Sequence, residues 1–475
     1  MSKMTDTSED RQTEGSDPDR PPEPPATPVV GHALSYVRDP LGYVRGTVEE
    51  YGPVVSVKMP RREGTLLADP AAIEHVLAGN ADNYRKGEFQ RRELEGLLGD
   101  GLLIAEGEAW ENARQAIQPA FYPGRIADYA TTMVARTNRM IADWSAGETV
   151  DVGDATSQLT LAVLGEVLFD VDFSEATAIR EAARAVTTRF APDGRLPVYV
   201  PDWVPLPRNR RYRQAIDQLD AFVADLIERR RPDLTESVAP GDGDGNDAPT
   251  DLVSMLLAAG MDDNEVRDHL VTFLLAGHET TALALTYTLF CLATNPAEQA
   301  TVAAEVTALD GRPTAADDLP QTDRAIREAM RLYPPVHLVM REAIDHDVVA
   351  GYHVPAGSLV LCSQWATHRR PALFANPAAF RPGRWESADV PDYAYFPFGG
   401  GPRVCIGRRF ALLEARLVLA TILQSFRIEP VTTDLDLAAS MTLAPTHPVE
   451  MRLVERDGNP TIAAEDSFDN TSTPN

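Results

Sequence analysis

Residues 396–407 read Phe-Pro-Phe-Gly-Gly-Gly-Pro-Arg-Val-Cys-Ile-Gly, a run too rich in glycine and proline to continue as strand or helix. The next twelve residues, Arg408 to Leu419, carry apolar side chains at helical spacing without a breaker. The chain must therefore turn tightly and enter a helix directly behind Cys405. This puts one thiol at the positive end of a helix dipole, a position expected to lower its pKa and favour metal ligation. Other uses of a glycine-rich loop do not fit. Gly399-Gly400-Gly401 is not followed by Gly-Lys-Ser/Thr, and Val404 stands where a dinucleotide fingerprint needs glycine.

The spacing Phe398, Gly401, Arg403, Cys405, Gly407 resembles the haem-binding signature of the cytochrome P-450 family, with every fixed position filled. The resemblance implies a mainly α fold with a small β region, in which haem b lies between a long distal helix and the helix that follows the cysteine loop. Cys405 would be the axial ligand of the iron, donating electron density that favours O–O cleavage. Arg403 would offer a cationic fork to a haem propionate. Phe398 would shield the sulfur from water. Gly401 and Gly407 would let the backbone approach the porphyrin in torsions closed to residues with a β-carbon.

Five motifs in all stand along the chain in the order this resemblance requires. Ala276-Gly277-His278-Glu279-Thr280-Thr281 interrupts an apolar helical stretch with polar groups. Ala276 and Gly277 would line the cofactor, and a mid-helix threonine hydroxyl can bond back to a carbonyl and bend the ladder. Glu279 and Thr280 resemble the family's acid–alcohol pair, which relays protons. His278 lies two helical steps from Thr280, on a different face, and reads as structural. Glu328 and Arg331, one turn apart, resemble the E-x-x-R motif that pairs with a later arginine, here Arg384, in a structural network behind the cysteine loop. Gly383 and Trp385 depart from that later segment, where Glu and Phe are frequent. Trp110 and Arg114 resemble a W-x-x-x-R helix that reaches a propionate, and Arg341 matches a second propionate-binding arginine. His368 reads as a turn residue near the same group. By family position, Phe273, Leu274, Val336, Leu338, Val339, Thr442 and Leu443 are candidates to line an apolar substrate pocket.

Composition narrows the setting. The 475 residues carry a formal charge of −27, and the 44 basic residues include only three lysines, Lys3, Lys58 and Lys86. So acidic a chain is not expected to bind nucleic acid or an anionic membrane. Acidic excess with few lysines suits a salt-rich cytoplasm, and a halophilic archaeal source is expected. Cys291, Cys362 and Cys405 form a sparse, odd set without a disulfide framework.

Residues 1–28 and 455–475 are expected to be disordered, with a single haem-binding domain at 29–454 and neither signal peptide nor membrane anchor. Strands are expected at 54–59, 64–68, 348–354 and 358–362, and a hairpin at 441–454. Helical patterns run over 128–144, 159–168, 213–230 and 324–332. Asp262 and Asn295-Pro296 bracket a long helix, and 238–250 reads as an acidic loop. These features and the resemblance imply a monomeric monooxygenase that inserts one oxygen atom from O2 into a hydrophobic small molecule. No length remains for a flavin or iron–sulfur module, so electrons are expected from a separate ferredoxin and its reductase. Arg114, Arg125, Arg408 and Arg409 could form their docking patch. A peroxygenase, an isomerase and a haem-based sensor stay open as alternatives. The assignment of Cys405 is checked by the absorption of the reduced carbon monoxide adduct: a thiolate-type Soret band is expected, and an imidazole-type band would refute it.

Overall fold

Asp262 accepts hydrogen bonds from the amides of Asn264 (2.9 Å) and Glu265 (3.0 Å), while the Glu265 carboxylate accepts one from the Asp262 amide (2.9 Å). This capping box starts the helix Asp263–Thr294, whose 32 residues span about 48 Å at 1.5 Å per residue. Every residue from Thr281 to Ala293 is buried, so the helix runs through the core. The structure is a computed structural model; it describes residues 19–59, 62–172, 181–182, 185–186, 204, 206–237, 251–387 and 389–456. The expected acidic loop at 238–250, residues 1–18 and residues 457–475 lie outside the described residues.

The remaining helices pack around this axis. Val152–Leu164 lies against it through hydroxyl contacts: Thr156 Oγ1 donates to the Ala282 carbonyl (3.2 Å) and lies 2.9 Å from Thr286 Oγ1, and Thr160 Oγ1 donates to the His278 carbonyl (3.0 Å). Helices Ala130–Ala142, Pro320–Leu332 and Arg408–Ser425 contribute buried apolar faces to the same core.

Beside the helices lies a five-stranded sheet, in the order Val54–Met59, Arg62–Leu67, Leu359–Ser363, Leu338–Ala343, Tyr84–Arg85. Gly64 pairs with Leu359 in parallel, and Met340 opposes Leu361 antiparallel. The sheet thus joins the N-terminal strands to residues nearly 300 positions later. Leu338–Ala343, one of its three inner strands, carries Arg341 and was not expected from alternation. Two strand expectations change. Residues 348–354 are split by a turn at Ala350 and Gly351, both at positive φ (52° and 83°), which gives the hairpin Asp347–Val349 and Tyr352–Val354. Nor do residues 441–454 pair with themselves. Leu443–Pro445 pairs with Leu437–Ala439, and Glu450–Glu455 pairs with Phe426–Pro430 and Thr149–Asp151.

Residues 19–28, within the segment expected to be disordered, make defined contacts. Ser56 donates its amide to the Pro22 carbonyl (2.9 Å), His353 donates to Asp19 (3.0 Å), and Pro21 and Pro24 are buried. The first of these bonds covers the edge of the sheet that starts at Val54, and the second lies on the hairpin at 347–354.

Glu414, in the helix Arg408–Ser425, is 1 % exposed, and its Oε1 has no hydrogen-bond partner. Burial pushes its carboxyl well above the usual range, so it folds neutral. The unfolded chain ionises this group above about pH 4.5 while the folded chain does not, and stability is therefore lost as pH rises. Glu414→Gln is expected to melt at a higher temperature than the parent at pH 8, with the two converging near pH 4 in calorimetric scans.

Candidate active site

The cysteine loop is held by its own backbone and by three neighbouring segments. Cys405 donates its amide to the Phe398 carbonyl (3.0 Å), Gly399 to Phe396 (2.9 Å), and Val404 to Gly401 (3.1 Å). Gly401 has φ +62°, and a Cβ there would meet the Leu77 carbonyl oxygen at 1.8 Å. Its amide donates to the Tyr393 hydroxyl (3.1 Å), whose ring leaves no room for a Cβ on Gly400. Gly407 differs from expectation: its φ of −82° is open to any residue. A Cβ there would stand in ordinary contact with Cys405 Sγ, at 4.0 Å.

Behind the loop, Glu328 and Arg331 are both fully buried. Glu328 Oε2 accepts from Arg331 Nε (2.9 Å) and Trp385 Nε1 (3.0 Å). Its Oε1 accepts from Arg331 Nη2 (2.8 Å), Arg384 Nε (2.9 Å) and the Arg381 amide (3.0 Å). Trp385, a departure from the family pattern, thus supplies a donor. Arg331 Nη1 donates to the His368 carbonyl (2.8 Å), and His368 Nε2 accepts from the Phe396 amide (3.2 Å) where the loop begins. Burial, then the charges of Arg331 and Arg369, push the His368 imidazole far down in pKa, in keeping with this acceptor role. His368 is therefore a link between network and loop.

The helix dipole alone predicts a lowered pKa for Cys405; the fold reverses the balance. Desolvation pushes the thiol up, opposed by the amides of Gly407 and Arg408 and by the charges of Arg114 and Arg408. Arg114 is not free for a propionate at every nitrogen, because Nη1 donates to the Val404 carbonyl (3.0 Å). Its guanidinium braces the segment next to the sulfur.

Cations gather on one side of this loop. Arg403 lies over the Trp110 ring (4.2 Å to the centroid) and donates to the Ala105 carbonyl (2.6 Å) and to Glu106 (2.5 Å). Arg341, 6 % exposed, donates to the Met340 carbonyl (2.9 Å). Lys86 completes the group, and sequence reasoning missed it although it is one of three lysines in the chain. Burial, and then the charges of Arg341 and Arg403, bring its pKa down to about 7, against the pull of Glu106. Nearby in sequence to Arg341, His337 is 7 % exposed with Nδ1 unpartnered, and burial lowers its pKa to about 4. Three cations around the single carboxylate of Glu106 form a cradle short of negative charge, which the two propionates of haem would supply. The residues present therefore fit haem b, with Cys405 at the iron and Lys86, Arg341 and Arg403 toward the carboxylates.

The long helix meets the loop across Phe121. Its ring stacks on Phe273 (5.6 Å, 20°), packs edge-on to Phe410 (6.4 Å), and stands 3.8 Å from where a Gly407 Cβ would be. Ala276, two residues past the buried run Leu270 to Leu274, is exposed, as is Cys405; each borders space that protein does not fill. Thr280 Oγ1 turns back to the Ala276 carbonyl (2.9 Å). Glu279 Oε1 accepts from Thr442 Oγ1 (3.2 Å). His278 is buried with its ring nitrogen on the Leu274 carbonyl (2.5 Å), a structural placement. Gly277 packs against Leu164, which a Cβ would approach to 3.0 Å.

The pocket expectations divide. Leu274 and Leu443, at 1 % and 0 % exposed, are core residues, and the Phe273 ring is committed to Phe121. Val336, Leu338 and Val339 keep partial exposure at the start of the strand Leu338–Ala343. Among the described residues no helix is long and apolar enough to cross a membrane.

A family model described as Cytochrome P450 matches residues 21–452. Cyclooctat-9-en-7-ol 5-monooxygenase of Streptomyces melanosporofaciens is 34 % identical over 424 residues, covering 86 % of this chain and 89 % of that protein. Pentalenene oxygenase of Streptomyces avermitilis is 30 % identical, covering 90 % and 96 %. Carotene epsilon-monooxygenase of Arabidopsis thaliana is also 30 % identical, covering 90 % and 85 %. In three dimensions the chain is similar to the crystal structure of CYP175A1 from Thermus thermophillus, with a TM-score of 0.72, 29 % identity, and coverage of 88 % of this chain and 96 % of that one. A match running almost from one end of the described chain to the other makes this protein a member of the cytochrome P450 family, a monooxygenase that works through haem b.

Proposed function

We propose that this monooxygenase oxygenates an isoprenoid hydrocarbon or its alcohol, with electrons delivered by a separate acidic ferredoxin. The relatives named for cyclooctatenol, pentalenene and carotene oxidation support the substrate class. The observation that carries the catalytic reading is the polar break in the long helix, where Glu279 and Thr280 stand beside the open position at Ala276. Haem b, ligated by Cys405, supplies the iron at which oxygen is activated for insertion into a C–H or C=C bond.

The chain's own residues manage charge and protons. The amides of Gly407 and Arg408 and the charge of Arg114 favour the ionised sulfur that ligation requires, against the desolvation imposed by the surrounding protein. Thr280 Oγ1 uses its proton on the Ala276 carbonyl and keeps its lone pairs free to hold a water or accept a proton. Glu279 is the adjacent carboxylate that can refill this site from solvent. Val336, Leu338 and Val339 present apolar surface suited to a hydrocarbon.

Arg408 and Arg409 are exposed at the start of the helix behind Cys405, whereas Arg114 is drawn inward to Val404. The exposed pair is the proposed ferredoxin contact on an otherwise acidic chain. The same acidity supports a salt-rich cytoplasm as the working environment. Charge reversal at Arg408 and Arg409 is expected to slow ferredoxin-driven reduction at low salt, with the difference shrinking at high salt; an unchanged rate at both would exclude this contact.

With NAD(P)H, reductase and ferredoxin, oxygenated isoprenoid is expected as product. Thr280→Ala is expected to lower product formation about 10²-fold. Equal turnover with hydrogen peroxide alone, unaffected by Thr280→Ala, would favour the peroxygenase alternative.

A further inference from the structure

We propose that Thr442 is a positioning residue for Glu279, tying the proton-handling acid to the C-terminal hairpin. The inference rests on the reading of Glu279 given above. Thr442 lies in the turn between strands Leu437–Ala439 and Leu443–Pro445, and is 6 % exposed. Its hydroxyl donates to Glu279 Oε1 at 3.2 Å.

The turn is itself locked on several sides. Ser440 donates its amide (2.9 Å) and its hydroxyl (3.0 Å) to the Thr442 carbonyl. Leu443 donates its amide to the Pro335 carbonyl (2.8 Å), just ahead of the strand that carries Arg341. The Leu443 carbonyl accepts from the hydroxyl of Tyr287. Tyr287 stands eight residues after Glu279 on the same helix, which places the two about 80° apart around the axis and two turns apart along it. The hairpin is therefore fastened to the long helix at two points, and the Thr442 hydroxyl is a rigid donor rather than a mobile one.

A hydroxyl donor to a carboxylate oxygen restrains its rotamer. Thr280 meanwhile turns its hydroxyl toward Ala276, so acid and alcohol are each held by a separate partner. With Thr442 in place, one oxygen of the Glu279 carboxylate is held toward the hairpin. Without it, the carboxylate loses that restraint, and proton delivery falls out of step with electron delivery. The productive stoichiometry is R–H + O2 + 2e⁻ + 2H⁺ giving R–OH + H2O, with electrons from NAD(P)H through the ferredoxin. Electrons that arrive without timed protons instead give O2 + 2e⁻ + 2H⁺ → H2O2.

The test is product formed per NAD(P)H consumed, with hydrogen peroxide measured alongside, in haem-loaded protein. Thr442→Val is expected to lower the product yield about tenfold and raise peroxide, the loss of one hydrogen bond to a charged group. Thr442→Ser, which keeps the donor, is expected to restore the yield, with melting temperature and carbon monoxide spectrum unchanged in both. In a Glu279→Gln background, Thr442→Val is expected to add nothing. If Glu279→Gln alone keeps the parent yield, the role given to Glu279 fails. If Glu279→Gln lowers the yield while Thr442→Val does not, or if the Val and Ser variants fall together with a lowered melting temperature, the positioning role of Thr442 is overturned.

Discussion

A single buried carboxylate organises this molecule. Glu328 is fully enclosed and accepts five hydrogen bonds, from Arg331, Arg384, Trp385 and the Arg381 amide. An ion pair removed from water is weak support for stability, because desolvation offsets much of the attraction. Its value here is geometric. Arg331 spends its remaining donors on the carbonyls of His368, Pro377 and Ala379, and His368 in turn holds the Phe396 amide. Through two links, the helix Pro320–Leu332 dictates where the cysteine loop begins.

The loop then needs no regular structure of its own. Gly401 sits against the Leu77 carbonyl, Gly400 under the Tyr393 ring, and Cys405 is tied to Phe398. Such close approaches leave the sulfur in one position. The charge around it is less settled: Lys86, Arg341 and Arg403 crowd together with Glu106 as their shared carboxylate, an arrangement that an anionic partner completes. The protein has built electrostatic demand into the place where haem carboxylates fit.

Much of this was legible because the informative residues are local. The cysteine loop, the Glu328–Arg331 turn and the capping box at Asp262 each lie within a dozen residues, where spacing alone dictates geometry. What escaped was non-local. The strand Leu338–Ala343 does not alternate in burial, because its second half is buried at every position, and the 348–354 segment hides a turn formed by Ala350 and Gly351. Leu274 and Leu443 have the composition of pocket residues, yet packing places them in the core.

The sequence by itself determined the chemistry: a thiol before a helix, a polar break in an apolar helix, and a carboxylate and arginine one turn apart. Those follow from short-range periodicity and backbone sterics, which act before any tertiary contact forms. Tertiary structure alone decided the balance of forces on these groups. The Cys405 side chain is exposed on one side, yet the protein around it desolvates the thiol enough to raise its pKa against the amides of Gly407 and Arg408. Lys86 joins Arg341 across some 250 residues, and Thr442 reaches Glu279 across 163. Desolvation and pairing are sums over neighbours in space, and no reading along the chain contains that list.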